Sequence, residues 1–175
     1  MTALLEHVDP DGLLEFSVVF TDRSLNHMSA SFKDVMTDIS GMLKQVYSAD
    51  AVAIIPGGGT FGMEAVARQF SRDAKVLVVR NGWFSYRWSQ IFDTCGSASD
   101  VQVIKARQTG NDNQAAFCPA PVEEVVAQIR SRKPDLVFAP HVETSAGVIL
   151  PDDYITALAA AAQQVGALMV LDCIA

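Results

Sequence analysis

Residues 57–60 read Gly-Gly-Gly-Thr and stand between an apolar run at 51–55 and a helical pattern at 63–70. A chain that passes from strand to helix through glycines turns several backbone N–H groups toward one point. The positive end of the helix dipole lies at that point too. This is chemistry for a phosphate, with directed donors, a favourable field and the Thr60 hydroxyl in one place. With nothing bound, the same turn reads as a strand-to-helix connection with Thr60 as a plain N-cap. Adjacent glycines cost backbone entropy on folding, however, and a mere connection rarely needs three of them. Three more stretches carry polar groups directly after apolar runs: residues 81–87, residues 141–147, and Asp172. His141 and Glu143 are tempting as an acid–base or metal pair. No third ligand stands at metal-binding spacing, so no metal is expected, and both read as residues that support a site or pack beside it.

The elements that must position these groups follow from periodicity. Phe32, Val35, Met36, Ile39, Leu43 and Val46 mark one face of a helix, with Ser31 as its expected N-cap. Short apolar runs at 52–55, 76–79, 101–104, 136–139 and 168–171 predict strands. Helical patterns at 60–70, 84–92, 122–129 and 154–165 separate them, and Gly166 is placed to close the last helix. Residues 1–30 carry few clear signals, and 108–119 read as an irregular surface loop. Strands alternating with helices predict a three-layer αβα domain with a mostly parallel sheet covered on both faces. Ligands of such sheets gather beyond the carboxyl ends of the strands. The glycine turn, 81–87, 141–147 and Asp172 each follow a predicted strand, so they are expected to share one crevice. The chain is expected to divide into an N-terminal segment and helix, 1–50, and a ligand-binding part, 51–175.

The bulk composition narrows the partners. Half of the 175 residues are apolar, which suits a well-buried core. A net charge of −7 argues against nucleic acid or an anionic membrane as a general partner. No apolar stretch is long enough to span a bilayer, and the first residues lack the basic and apolar regions of a secretion signal. Cys95, Cys118 and Cys173 are odd in number and lack metal-type spacing, so they read as reduced thiols of a cytoplasmic protein.

Two readings of the glycine turn compete. Gly57, Gly59 and Gly62 match G-x-G-x-x-G, which invites a dinucleotide. The next strand should then end in a carboxylate for the ribose. It ends in Val79-Arg80-Asn81 instead, which leaves an oxidoreductase reading in which Arg80 meets the 2′-phosphate of NADP.

The second reading uses more of the chain. Gly58-Gly59-Thr60, followed by Glu64-Ala65, resembles the phosphate-binding segment of the fold-type I pyridoxal-phosphate enzymes, most closely the class V aminotransferases. Asn81-Gly82-Trp83-Phe84-Ser85-Tyr86-Arg87 is similar to that family's Asn-Gly segment. His141-Val-Glu143-Thr144-Ser145-Ala-Gly147-Val148 resembles its His-x-Glu-Ser/Thr-Ser-Thr-Gly-Val segment, with Ala146 where threonine is usual. Val170-Leu171-Asp172 resembles the strand whose aspartate pairs with the pyridine nitrogen. The resemblance weakens before Ala51.

The resemblance implies the following roles. Gly58, Gly59 and Thr60 hold the phosphate of pyridoxal 5′-phosphate, and Phe84 stacks on the ring. Thr144 bonds the ring oxygen or a group near it, and Asp172 keeps the ring nitrogen protonated as the one catalytic residue. His27, Arg23 and Arg87 are candidates for a substrate carboxylate. The implied activity is amino transfer between an amino acid of alanine, serine or aspartate type and a 2-oxo acid such as pyruvate or glyoxylate, in a homodimer. Class V lyases and desulfurases are the related alternatives. The family's covalently attached lysine follows the aspartate's strand. Lys33, Lys44, Lys75, Lys105 and Lys133 do not match that position, so the sequence is expected to be the N-terminal portion of a longer enzyme.

Overall fold

The computed structural model describes residues 27–174. Arg23 and the rest of 1–26 lie outside the described residues. The chain divides into two units, Met1–Ile55 and Pro56–Ala175.

In the first unit, helix α1 spans Ala30–Tyr47. Its N-cap is Ser29 rather than the expected Ser31, because the Ser29 hydroxyl accepts the Phe32 N–H at 3.1 Å. The strand expected at 52–55 does not form, and residues 51–55 have no regular structure. Ile54 and Ile55 are exposed. An extended apolar run becomes a strand only where a neighbour takes up its N–H and C=O groups, and no strand among the described residues pairs with this one.

The second unit opens on helix α2, Gly59–Phe70, then strand β1, Lys75–Arg80, and helix α3, Trp83–Cys95. Strand β2 is Asp100–Lys105, and the two-residue strands β3, Arg107–Gln108, and β4, Phe117–Cys118, follow. Helix α4, Val122–Arg132, leads into β5, Leu136–Pro140. A small hairpin of β6, Val142–Glu143, and β7, Val148–Ile149, precedes helix α5, Asp152–Val165, and strand β8, Leu168–Asp172. The main sheet has order β2-β1-β5-β8, with every pair parallel.

Period-two alternation divides the core between the two faces of this sheet. Val76, Val78, Leu136 and Phe138 face α2 and α3, packing with Ala67, Trp88, Ile91 and Phe92. Leu77, Val79, Val137 and Ala139 face α4 and α5, packing with Val125, Ile129, Leu158 and Ala161. This is the expected three-layer αβα arrangement. Trp88 and Phe92 both pack on the Phe138 ring, with centroids 4.6 and 5.2 Å apart. Helix α4 carries Glu123 and Glu124 in its first turn and Arg130 and Arg132 in its last, matching the dipole at both ends. Gly166 closes α5 in the left-handed conformation, at φ 78°.

Two small antiparallel pairs depart from the sequence reading. The loop at 108–119 is pinned by β3 pairing with β4. Residues 142–149 form the β6–β7 hairpin beyond the tip of β5, and that hairpin organises the candidate site.

Candidate functional site

The parallel register brings the carboxyl ends of β1, β5 and β8 side by side, with β5 in the middle. Asp172 pairs with Pro140, and its carbonyl accepts the His141 N–H at 2.8 Å. On the other side of β5, the chain leaving β1 through Asn81 and Gly82 enters α3. Gly82 stands at the N-cap with no side chain to offer. The first N–H groups of a helix have no partner within it, and here the hairpin supplies acceptors. Ser145 Oγ accepts from Trp83 N–H at 2.8 Å. Glu143 Oε1 accepts from Phe84 N–H at 3.0 Å, and Oε2 from Ser85 N–H at 2.8 Å. The Ser85 and Ser145 hydroxyls also donate to this carboxylate. A Cβ on Gly82 would lie 2.5 Å from Ser145 Oγ and 2.7 Å from Glu143 Cδ, so only glycine admits the carboxylate here.

Glu143 is fully buried. Burial pushes its carboxyl up, but bonds from the Ser145 and Ser85 hydroxyls and from the Ser85 and Phe84 N–H groups hold it below the usual carboxylate range. Asp172 behaves oppositely. Burial raises it and the nearby Glu143 charge adds to that, against a smaller lowering by the Ile174 N–H. None of the ion pairs among the described residues includes Asp172.

The glycine turn reaches the same place from the other direction. Gly58 is the N-cap of α2, in extended conformation, and Gly59 and Thr60 open the helix. Gly58, Gly59 and Thr60 are all exposed. Gly59 touches Ile174, two residues past Asp172, so closely that a Cβ there would collide with Ile174 Cδ1. Phe84 is 47% exposed, and Thr144 lies exposed in the hairpin turn, its carbonyl accepting the Gly147 N–H. The 81–87 segment and Asp172 thus meet β5 and its hairpin, and the glycine turn meets the chain just past Asp172. Arg87 and Thr60 share a cleft of about 290 Å³ between α2 and α3, whereas His27 belongs to the first unit.

Sequence reasoning named Glu143 only as a supporting residue and did not single out Ser85, Ser145 or Ile174. Their connections span about sixty residues or more and leave no local spacing to read.

The residues fit pyridoxal phosphate on four counts. A helix N-terminus is open to solvent for an anion. An aromatic face is half exposed. A carboxylate lacks a cation, and the Asn81 amide at the tip of β1 is buried with neither polar atom bonded to protein. The dinucleotide alternative fits less well, because its fingerprint needs a strand before the glycines and 51–55 is not one. A second cleft, of about 500 Å³, lies at the C-terminal ends of α2 and α3 and is lined by Arg68, Arg72 and Cys95. It lies at the end of α2 opposite the glycine turn, away from Asp172. Among the described residues no cluster of His, Cys, Asp or Glu could hold a metal, and no helix is long and apolar enough to cross a membrane.

The 2-aminoethylphosphonate–pyruvate transaminase of Burkholderia ambifaria (strain MC40-6) is 34% identical over 156 residues, covering 86% of this chain and 36% of the relative. Ureidoglycine–glyoxylate aminotransferase from Bacillus subtilis superposes with a TM-score of 0.69 at 21% identity, over 94% of this chain and 38% of that one. Aspartate aminotransferase from Thermus thermophilus gives 0.66 at 25% identity, over 85% and 39%. The chain has the class V aminotransferase fold and resembles that family in sequence. No protein-family model matches it. The chain spans little more than a third of the length of these class V relatives.

Proposed function

We propose that this chain forms part of the pyridoxal-phosphate-binding large domain of an aminotransferase. The observation that carries the reading is the contact of Gly59 with Ile174, which sets the N-terminus of α2 beside the tip of β8. The N–H groups of Gly58, Gly59 and Thr60 and the Thr60 hydroxyl hold the phosphate. Phe84 stacks on the ring, and Thr144 bonds its oxygen. The Asp172 carboxylate holds a proton on the ring nitrogen, and that cation in turn relieves the desolvated carboxylate. Bound there, the cofactor supplies an electron sink for the substrate α-carbon.

The amino acceptor is a 2-oxo acid, with pyruvate favoured by the 34%-identical relative named for it. The donor is a small amine or amino acid. A relative named for 2-aminoethylphosphonate supports a donor of that size.

No lysine of the second unit stands beside the carboxyl end of β8, where a covalent link to this site would need it. Lys105, at the carboxyl end of β2, lies three strand spacings from β8, about 14 Å. Lys75 stands at the opposite end of β1, and Lys133 caps α4. A cytoplasmic homodimer completes the reading: the free thiols of Cys95, Cys118 and Cys173 support the compartment, and the family resemblance supports the dimer, which sedimentation checks.

The test is the absorbance spectrum of the intact protein with pyridoxal phosphate, before and after an amino donor. Yellow protein that bleaches on adding donor supports transamination. A colourless protein that the cofactor cannot restore contradicts it.

A further inference from the structure

We propose that Glu143 is a positioning residue that acts through Phe84, holding the aromatic ring in place by capping α3 from another strand. This inference rests on the cofactor reading above. Helix α3 starts at a glycine with no capping side chain. Its first three N–H groups are bonded instead by Ser145 and Glu143. The bond at 3.0 Å is to the peptide N–H of Phe84 itself. The position of that backbone, and so of the ring it carries, is set by a carboxylate on the neighbouring strand's hairpin.

A buried carboxylate with no cationic partner is expensive to desolvate. Burying one to cap a helix is justified where the start of that helix must not move. An ordinary N-cap serine at position 82 would hold the helix to its own chain. Glu143 holds it to β5 instead, the strand hydrogen-bonded to the one carrying Asp172. Ring-face and ring-nitrogen contacts are thereby fixed relative to each other. Glutamine keeps one acceptor oxygen but sets its NH₂ group against the Phe84 or the Ser85 N–H, so E143Q keeps the size and loses one of the two backbone caps.

The experiment is a double-mutant cycle on pyridoxal-phosphate affinity in the intact protein, with E143Q, F84L and the double variant, alongside amide exchange at Phe84 and Ser85 without cofactor. E143Q is expected to weaken cofactor binding about fivefold, the order of a lost aromatic stack. In the F84L background the same change has almost no further effect. Exchange at the two amides rises in E143Q while β1 stays protected. Additive losses, or unchanged exchange, overturn the proposal. Where E143Q does not fold, S145A replaces it, because it removes the Trp83 acceptor and one donor to Glu143. If the wild-type protein binds no pyridoxal phosphate, the cofactor reading fails and the positioning role falls with it. If wild type binds and E143Q binds equally well, only the positioning role fails.

Discussion

Gly59 and Ile174 are in van der Waals contact, and they join the first turn of α2 to the end of β8. A phosphate held at the helix N-terminus and a ring nitrogen held by Asp172 belong to one ligand only if those two points stay this close. No side chain at position 59 stands between them.

Gly59→Ala should set a methyl against the end of the exposed Ile174 side chain and turn it out of the space between the glycine turn and β8. Overpacking a core costs about 1–3 kcal/mol, and here the end of the exposed Ile174 side chain can give way, so the cost stays at about 1 kcal/mol. We expect a loss in thermal stability of that order and pyridoxal-phosphate affinity weakened by about fivefold, at one decade per 1.4 kcal/mol. Ile174→Ala in the same chain should restore much of both, measured by thermal melts and cofactor titration. An unchanged Gly59→Ala variant would mean that the contact is not a constraint.

Asp172→Ala should reduce turnover of the intact protein by orders of magnitude, because it removes the charge that holds the ring proton. Phe84→Leu should cost about fivefold, since stacking contributes only about 1 kcal/mol beyond area burial. Steady-state kinetics separate the two. Comparable losses would contradict the assigned roles.

The two carboxylates should leave opposite signatures on stability without cofactor. Asp172 is raised in the folded chain, chiefly by burial. Its contribution is fully present below its unfolded pKa, about 3.9, and is lost as pH rises through the folded value. Asp172→Asn should then match or exceed wild-type stability at neutral pH, and the difference should vanish in acid. Glu143 is lowered by its hydrogen bonds despite burial. Its contribution is present above about 4.3 and is lost as pH falls through the folded value. Glu143→Gln should cost about 2–3 kcal/mol at neutral pH by leaving buried N–H and hydroxyl groups unpaired. Its gap to wild type should close as pH falls. Urea melts between pH 3 and 8 give both slopes, and slopes of the same sign would contradict the assignment.

Lys105→Ala should leave covalent cofactor attachment and turnover within about twofold of wild type, as surface changes away from a site usually do. Borohydride reduction followed by peptide mapping identifies the modified lysine. Label on Lys105 would overturn the reading that it stands too far from β8 to form the link.

Much of this fold was legible because the decisive patterns are local. The unbroken apolar run of Val76, Leu77, Val78 and Val79 declares a strand buried on both faces. The spacing of Val122, Val125, Val126 and Ile129 declares a helix face. Position at a strand end was enough to gather Asp172, residues 81–87 and residues 141–147. What stayed hidden depends on partners distant in sequence. The apolar 51–55 run looked like a strand, but pairing decides that. Ser29 displaced Ser31 as the cap because one hydroxyl reaches the Phe32 N–H. The β6–β7 hairpin is too short to show alternation, and Glu143 caps α3 across 58 residues from Ser85.

The central claim, that one vitamin B6 cofactor lies between Thr60 and Asp172, is tested most directly by crystals of the intact protein grown with pyridoxal phosphate. The phosphate density should lie within hydrogen-bonding distance of the Gly59 and Thr60 N–H groups, with the pyridine nitrogen beside the Asp172 carboxylate. Density for the cofactor anywhere else, or with its nitrogen turned away from Asp172, would contradict the account.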